Sequence, residues 1–182
     1  MVWTVDGCSF KTAWGWMGVS ASPRGICAIA LPRSTRSDAE RELLKLNGVP
    51  SAMRIWSEKN SSRILKKART QLYEFIDGKR RQLEFPLDLS LGTPFQRRVW
   101  RVALRIPYGR VRSYHWIASK VGGKKYARAV GNALGANPVP LIVPCHRVVA
   151  HDASLGGFSG GLAIKRKLLD LEGTLKQLSR KV

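Results

Sequence analysis

The sequence predicts a small α/β domain followed by a mainly helical domain built around a helix-turn-helix. Three observations predict it. A short apolar run and two amphipathic segments occupy the first half. Three short helical segments separated by glycine turns occupy the second. The charge is also lopsided between the halves. The 182 residues carry a formal net charge of +20. Met1 to Asp88 holds 15 basic and 9 acidic residues, whereas Leu89 to Val182 holds 17 basic and 3 acidic. No acid occurs between Leu89 and His151. Such a concentration of one sign is the footprint of a nucleic-acid face, with a generic solvated basic surface as the bland reading.

The elements follow in chain order. The apolar run from Gly25 to Leu31, ending at Pro32, reads as a buried strand. Ser37 and Glu40 form a capping-box pattern ahead of Leu43, Leu44 and Leu46, which predicts a short helix ending at Gly48. Ile64, Leu65, Ala68, Leu72, Phe75 and Ile76 recur at helical spacing, so a longer helix starts near Asn60 and stops at Gly78. Leu83 to Leu89 reads as one more strand, broken by Pro86. The domain boundary falls in the stretch from Leu89 to Thr93. The expected organisation is 1–88, 89–175 and a basic tail 176–182.

In the second part Thr93 can cap a helix and Pro94 suits its first position. Phe95, Val99, Val102, Ala103 and Ile106 mark its apolar face, and Pro107 to Gly109 ends it. Ser113 caps a second helix with Ile117, Ala118 and Val121 inward, and Gly122-Gly123 makes the turn. A third helix runs from about Lys124 to Gly135, with Val130, Ala133 and Leu134 inward. Helix, tight turn, helix is the helix-turn-helix pattern. The outward face of the third helix shows Ala127, Arg128, Gly131 and Gly135. A helix that reads bases in the major groove offers several long polar side chains. This face suits close, sequence-tolerant approach from the minor groove, with Arg128 as a wedge or as a phosphate contact only.

Several classes are excluded. No apolar run approaches the roughly 20 residues of a membrane span, so no membrane association is expected. Asp6 stands early and no basic start precedes an apolar stretch, so a secretory signal is not expected. Three cysteines, Cys8, Cys27 and Cys145, argue against a disulfide scaffold and fit a reducing cytosol or nucleus. With three histidines, His115, His146 and His151, and no paired spacing, a zinc site lacks ligands. Cys8 and Cys27 read as structural. The run from Leu141 to Val149 is strand-like and delivers Cys145, His146 and Arg147 into core. A thiol beside His146 and Arg147 in a basic domain favours the nucleophilic thiolate, and soft sulfur suits attack on saturated carbon. The alternatives at this point are a small buried hydrophobe, a metal ligand and a thiol hydrolase.

The pentapeptide PCHRV, Pro144 to Val148, resembles the active-site motif of the O6-alkylguanine-DNA alkyltransferases (methylated-DNA–protein-cysteine methyltransferases). Ordered motifs extend the resemblance from Gln71 to Gly173, more than half the chain. They include QLYEF from Gln71, PLDL from Pro86, FQRRVW from Phe95 to Trp100, IPYG from Ile106, Ser113-Tyr114, and RAVG from Arg128 to Gly131. Asn137-Pro138, Gly156-Gly157, Gly160-Gly161, Lys165, Leu168-Leu169 and Glu172-Gly173 complete them.

The resemblance implies a ribonuclease H-like N-terminal domain and a winged-helix-like C-terminal one. It implies irreversible transfer of an alkyl group from flipped O6-alkylguanine, and O4-alkylthymine, to Cys145, with one turnover and no cofactor. His146 resembles the base, acting through a water, with Glu172 orienting it and Asn137 bracing the loop. Tyr114 resembles the residue that reaches guanine N3. Ser159 resembles a contact to O6, Phe158 stands beside it, Pro140 resembles a pocket wall, and the backbone of Cys145 and Val148 faces the exocyclic amine. Arg128 resembles the arginine that replaces the extruded nucleotide. Ala127, Ala129, Gly131, His115 and Gln96 fall on the DNA side. Phe158 stands where many members have tyrosine, and Ala153 where glycine is common. The implied partner is double-stranded DNA bound by a monomer, in the cytoplasm on the nucleoid or in a eukaryotic nucleus. The alternative is a DNA-binding protein without transfer chemistry, either a regulator or a lesion marker.

Overall fold

The computed structural model describes residues 5–47, 53–56 and 62–178. Two compact units are present: Met1–Leu91 with Pro138–Pro140, and Gly92–Asn137 with Leu141–Val182.

The first unit is a four-stranded sheet in the order β3-β2-β1-β4, from β1 (Val5–Thr12), β2 (Gly15–Ser22), β3 (Gly25–Arg33) and β4 (Met53–Trp56). β1, β2 and β3 pair antiparallel through two-residue turns at Ala13-Trp14 and Pro23-Arg24, while β4 joins β1 in parallel. Helix α1 (Arg36–Asn47) and helix α2 (Arg63–Ile76) cover opposite faces. The period-2 alternation of β1 shows this: Ser9 Oγ donates to Glu40 of α1, whereas Phe10 meets the Tyr73 ring of α2 at 5.2 Å. Ala28, Ala30, Ala39 and Leu43 form the α1-side core. Gly18 lets α1 approach, because a Cβ there would lie 2.5 Å from Leu43 Cδ1.

Sequence reading placed β3 but missed β1 and β2. Their polar residues Ser9, Thr12 and Ser20 are buried with partners, so neither face shows clean alternation. The expected capping box at Ser37 and Glu40 is not the cap. Helix α1 begins one residue earlier, and the Thr35 hydroxyl accepts from Asp38 N–H at 3.1 Å. The expected end at Gly48 and start near Asn60 lie outside the described residues. α2 buries Leu65, Ala68, Leu72, Phe75 and Ile76 as the spacing predicts, and Gly78 follows at φ 72°. The strand expected over Leu83–Leu89 reduces to one parallel bridge, Ile26 to Leu87. Pro86 lacks an N–H and supplies only its carbonyl, which accepts from Ile26 at 2.8 Å.

The second unit contains α3 (Pro94–Ala103), β5 (Arg112–Ser113), α4 (Tyr114–Val121), a 3₁₀ turn (Lys124–Tyr126) and α5 (Ala127–Gly135). A second 3₁₀ turn (Cys145–Arg147), β6 (Val148–Val149), α6 (Leu162–Leu171) and α7 (Leu175–Leu178) complete it. Thr93 and Gln96 make a full capping box on α3. That helix stops at Ala103, earlier than the proline at 107 suggested. Ser113 caps α4 by accepting from Trp116 N–H, and Gly122 turns the chain at φ 149°. The helix expected from Lys124 divides into the 3₁₀ turn and α5. Val99, Trp100, Ala103, Ile117, Ala118, Val130 and Ala133 are buried where α3, α4 and α5 meet. The Trp100 indole donates to the Ala133 carbonyl at 2.8 Å. The tail expected from Lys176 begins inside α7, whose Leu178 packs with Val149 and Leu169. Among the described residues no helix is long and apolar enough to cross a membrane.

Candidate active site

Two short elements assemble the site. β5 pairs in parallel with β6, Arg112 against Val148 and Ser113 against Val149. This two-residue ladder brings the start of α4, with Tyr114, beside the turn that carries Cys145. The run from Leu141 to Val149 is buried as expected, but it is not a strand. Leu141 holds φ 75°, and the chain then tightens into the 3₁₀ turn Cys145–Arg147. An extended strand would alternate its side chains across two faces. The turn instead sends three consecutive polar side chains inward, where each finds its own partners.

Cys145 is 5% exposed and lies at a cleft of about 530 Å³. The cleft is lined by Tyr114, Ala127, Arg128, Gly131, Phe158 and Ser159, together with Asn132, Leu134, Gly135 and Gly157. Asn137 Nδ2 donates to the Val143 carbonyl at 2.9 Å and to Cys145 Sγ at 3.1 Å. Behind the sulfur, His146 Nε2 meets Glu172 Oε1 at 2.8 Å, with both side chains fully buried. Arg147 Nε donates to both Glu172 oxygens at 2.9 and 3.1 Å, Nη2 donates to Oε1 at 2.9 Å, and Nη1 donates to the Ile106 carbonyl at 2.7 Å. The Gly109 N–H adds a further bond to Glu172, at 3.1 Å.

The electrostatics decide the resting state. Burial pushes the Cys145 thiol above its ordinary value, with the Asn137 hydrogen bond and the Lys165 charge pulling against it. The expected preformed thiolate is therefore corrected to a thiol that needs a base. Arg147, read from sequence as a thiolate-favouring neighbour, is committed to Glu172. Burial holds His146 below its ordinary value, against the pull of Glu172, so the imidazole is neutral. Glu172 is held ionised by His146 and Arg147 although burial opposes it. A carboxylate only accepts, so Nε2 carries the ring proton and Nδ1 keeps its lone pair. Nδ1 has no protein hydrogen-bond partner.

The remaining expected residues divide. Pro140 is buried and grouped with Pro138 in the first unit, outside the cleft lining. Val148 is buried, and its carbonyl accepts from Lys165 Nζ at 2.6 Å. Ala129 is partly buried and does not line the cleft. Gln96 gives its side-chain oxygen to the Thr93 N–H. His115 sits 5.5 Å from the His151 ring in a separate recess with Ser113, Trp116, Ser119 and Lys124. Ala153 adopts φ 65° and so keeps a turn for which glycine is better suited. Lys165 was named from sequence only as part of a motif, because a lysine on a helix ordinarily reads as surface. Among the described residues no three His, Cys, Asp or Glu side chains gather as a metal site.

Tyr114 packs tightly at the cleft edge. Its hydroxyl donates to the Gly157 carbonyl at 3.2 Å. A Cβ on Gly156, at φ 63°, would lie 2.8 Å from the Tyr114 ring. Gly156→Ala is therefore expected to cost about 1–3 kcal/mol through strain and displacement of Tyr114, read as a lowered urea midpoint. An unchanged midpoint would refute that packing.

This arrangement defines a class: a helix-turn-helix unit whose second helix walls a cleft floored by a cysteine nucleophile with a histidine–glutamate pair behind it. Residues 94–174 match the family model of the 6-O-methylguanine DNA methyltransferase, DNA binding domain. The methylated-DNA–protein-cysteine methyltransferase of Mycobacterium bovis is 49% identical over 102 residues, 56% of this chain and 61% of that protein's length. The crystal structure of the Mycobacterium tuberculosis O6-methylguanine methyltransferase superposes with a TM-score of 0.73 at 32% identity, covering 93% of each chain. The M. tuberculosis protein in complex with DNA gives 0.74 at 31% identity, covering 93% of this chain and 94% of that one. The chain belongs to the methylated-DNA–protein-cysteine methyltransferase family, with its two-domain fold and helical C-terminal DNA-binding domain.

Proposed function

We propose that the chain repairs DNA by moving the alkyl group of O6-alkylguanine onto its own Cys145. The observation that carries this reading is the Cys145 thiol: it is bonded by Asn137, backed by neutral His146, and lies at a cleft that Arg128 also lines. O6 is stacked inside a duplex, so a protein-held sulfur needs the base taken out. Arg128 fills the gap that the nucleotide leaves. The small residues Ala127, Ala129 and Gly131 allow close approach to the minor groove.

His146 Nδ1 takes the thiol proton through a water, and the imidazolium that forms is stabilised by Glu172. The sulfur attacks the alkyl carbon as the carbon–O6 bond breaks. Tyr114, whose pKa burial raises, stays a proton donor and turns from Gly157 toward guanine N3, so that the base leaves neutral. Ser159 reaches O6, Phe158 walls the base, and the Cys145 and Val148 backbone faces its amine. Pro140 closes the alkyl pocket. His115 and Gln96 contact the DNA backbone. The product is a thioether that no side chain here cleaves, so the protein acts once, without a cofactor and as a monomer. The same chemistry extends to O4-alkylthymine. The site of action is the bacterial nucleoid or a eukaryotic nucleus. The sheet order and the helices on both faces support a ribonuclease H-like first domain, and the helix-turn-helix followed by β6 supports a winged-helix-like second, over 1–88 and 89–175.

The test is stoichiometric transfer. A duplex with one radiolabelled O6-methylguanine is mixed with excess protein, beside a Cys145→Ala control. Label should reach the protein, saturate near one per chain when DNA is in excess, and be absent from the control. Duplex binding by intact reduced protein without transfer would leave a lesion-binding protein instead.

A further inference from the structure

Lys165 is fully buried, one turn into α6, and the chemistry proposed above leaves it unused. Its ammonium donates to three carbonyls: Val148 at 2.6 Å, Gly157 at 3.2 Å, and Leu155. Three N–H donors thus meet three acceptors. The Val148 carbonyl follows directly on the turn that carries Cys145. Leu155 and Gly157 belong to the segment that runs into Phe158 and Ser159. The Gly157 carbonyl also accepts from Tyr114, so one oxygen joins the lysine to the aromatic edge of the cleft. An isolated buried cation is costly, and an apolar side chain of that length would fill the space at lower cost. What an ammonium does and a methyl group does not is gather carbonyl oxygens from separate segments.

We propose that Lys165 is a positioning residue for alkyl transfer: its ammonium clasps the Leu155–Gly157 segment to Val148 and so sets the cleft wall carrying Phe158 and Ser159 relative to Cys145. The proposal rests on the alkyltransferase reading. The titratable groups that interact with Nζ are Cys145 and His146 on the 3₁₀ turn, with Tyr114 of α4 at the shared carbonyl. Arg166 and Lys167 on the same helix are exposed. Burial lowers the Lys165 pKa to about 8. The neutral amine has two N–H donors for three carbonyls, so the clasp loosens as the proton leaves.

The experiment compares single-turnover transfer by full-length wild type, Lys165→Met and Lys165→Arg from pH 7 to 9.5, with duplex affinity and urea midpoints alongside. Lys165→Met should lose transfer about 100-fold at pH 7 while duplex affinity stays within about twofold. Its deficit should shrink at least fivefold by pH 9.5, on the order expected as the wild-type charge is lost. Lys165→Arg, which stays charged, should restore part of the transfer and hold it through pH 9.5. A pH-independent ratio between wild type and Lys165→Met overturns the proposal, as does wild-type transfer by the Met variant. If neither variant folds, amide hydrogen exchange on the wild type decides. After correction for intrinsic rates, protection at Leu155–Ser159 should fall above about pH 8 while that of α3 holds, and unchanged protection overturns the clasp. That arm needs no transfer, so failure of the alkyltransferase reading is seen separately, as a wild type that moves no label.

Discussion

Glu172→Ala is expected to lose about 3–5 kcal/mol of stability, because it leaves the buried Arg147 guanidinium uncompensated and His146 without its acceptor. Urea unfolding at pH 7.5 measures it. A loss below about 1 kcal/mol would mean that Arg147 finds another partner or water. Glu172→Gln keeps an acceptor for Nε2 and is expected to fall between the two. The pH dependence follows with a definite sign. His146 is held below its ordinary 6.5, so the unfolded chain takes that proton first and stability falls as pH drops below about 6.5. Glu172 is held below its ordinary 4.5, so its contribution is present above that value and is lost as pH falls toward the folded value. Wild type should therefore weaken on the acid side in two stages, and Glu172→Ala should lack the lower one.

Arg128→Ala is expected to separate chemistry from base extrusion. The side chain is exposed, so its loss should move the urea midpoint little, within about 0.5 kcal/mol. Unstacking a nucleotide costs a few kcal/mol. If the arginine offsets about 2–3 kcal/mol of that cost, transfer from duplex O6-methylguanine should fall roughly 30–150-fold. Transfer from the free O6-alkylguanine base, which needs no extrusion, should stay near wild type. Equal losses on both substrates would assign Arg128 to the cleft wall instead.

The legible parts were those whose signal is local. Thr93-Pro94 followed by Gln96 is a helix start wherever it occurs, and Gly122-Gly123 is a turn because L side chains rarely take φ near +149° and +127°. The α2 apolar face was visible because one side of that helix is buried and the other wet. The first hairpin was not visible. β1 and β2 are covered on both faces, and buried serines with partners there look like surface serines in sequence. Arg128 at the cleft followed from the small residues that surround it on α5.

Residue types and their order already specified a basic helix-turn-helix unit, a Cys145-His146-Arg147 cluster in apolar surroundings and a family resemblance over more than half the chain. The ionisation states were decided by tertiary structure alone. Sequence adjacency put Arg147 beside Cys145, yet folding turned the guanidinium onto Glu172, 25 positions away, and left desolvation to govern the thiol. The same holds for Lys165. Nothing local distinguishes it from Arg166 or Lys167, and only the packing of α6 against the Val148 strand and the Leu155–Gly157 segment makes it a buried cation bonded to three carbonyls. Desolvation and long-range hydrogen bonding depend on which groups end up neighbours, and that information resides in the fold.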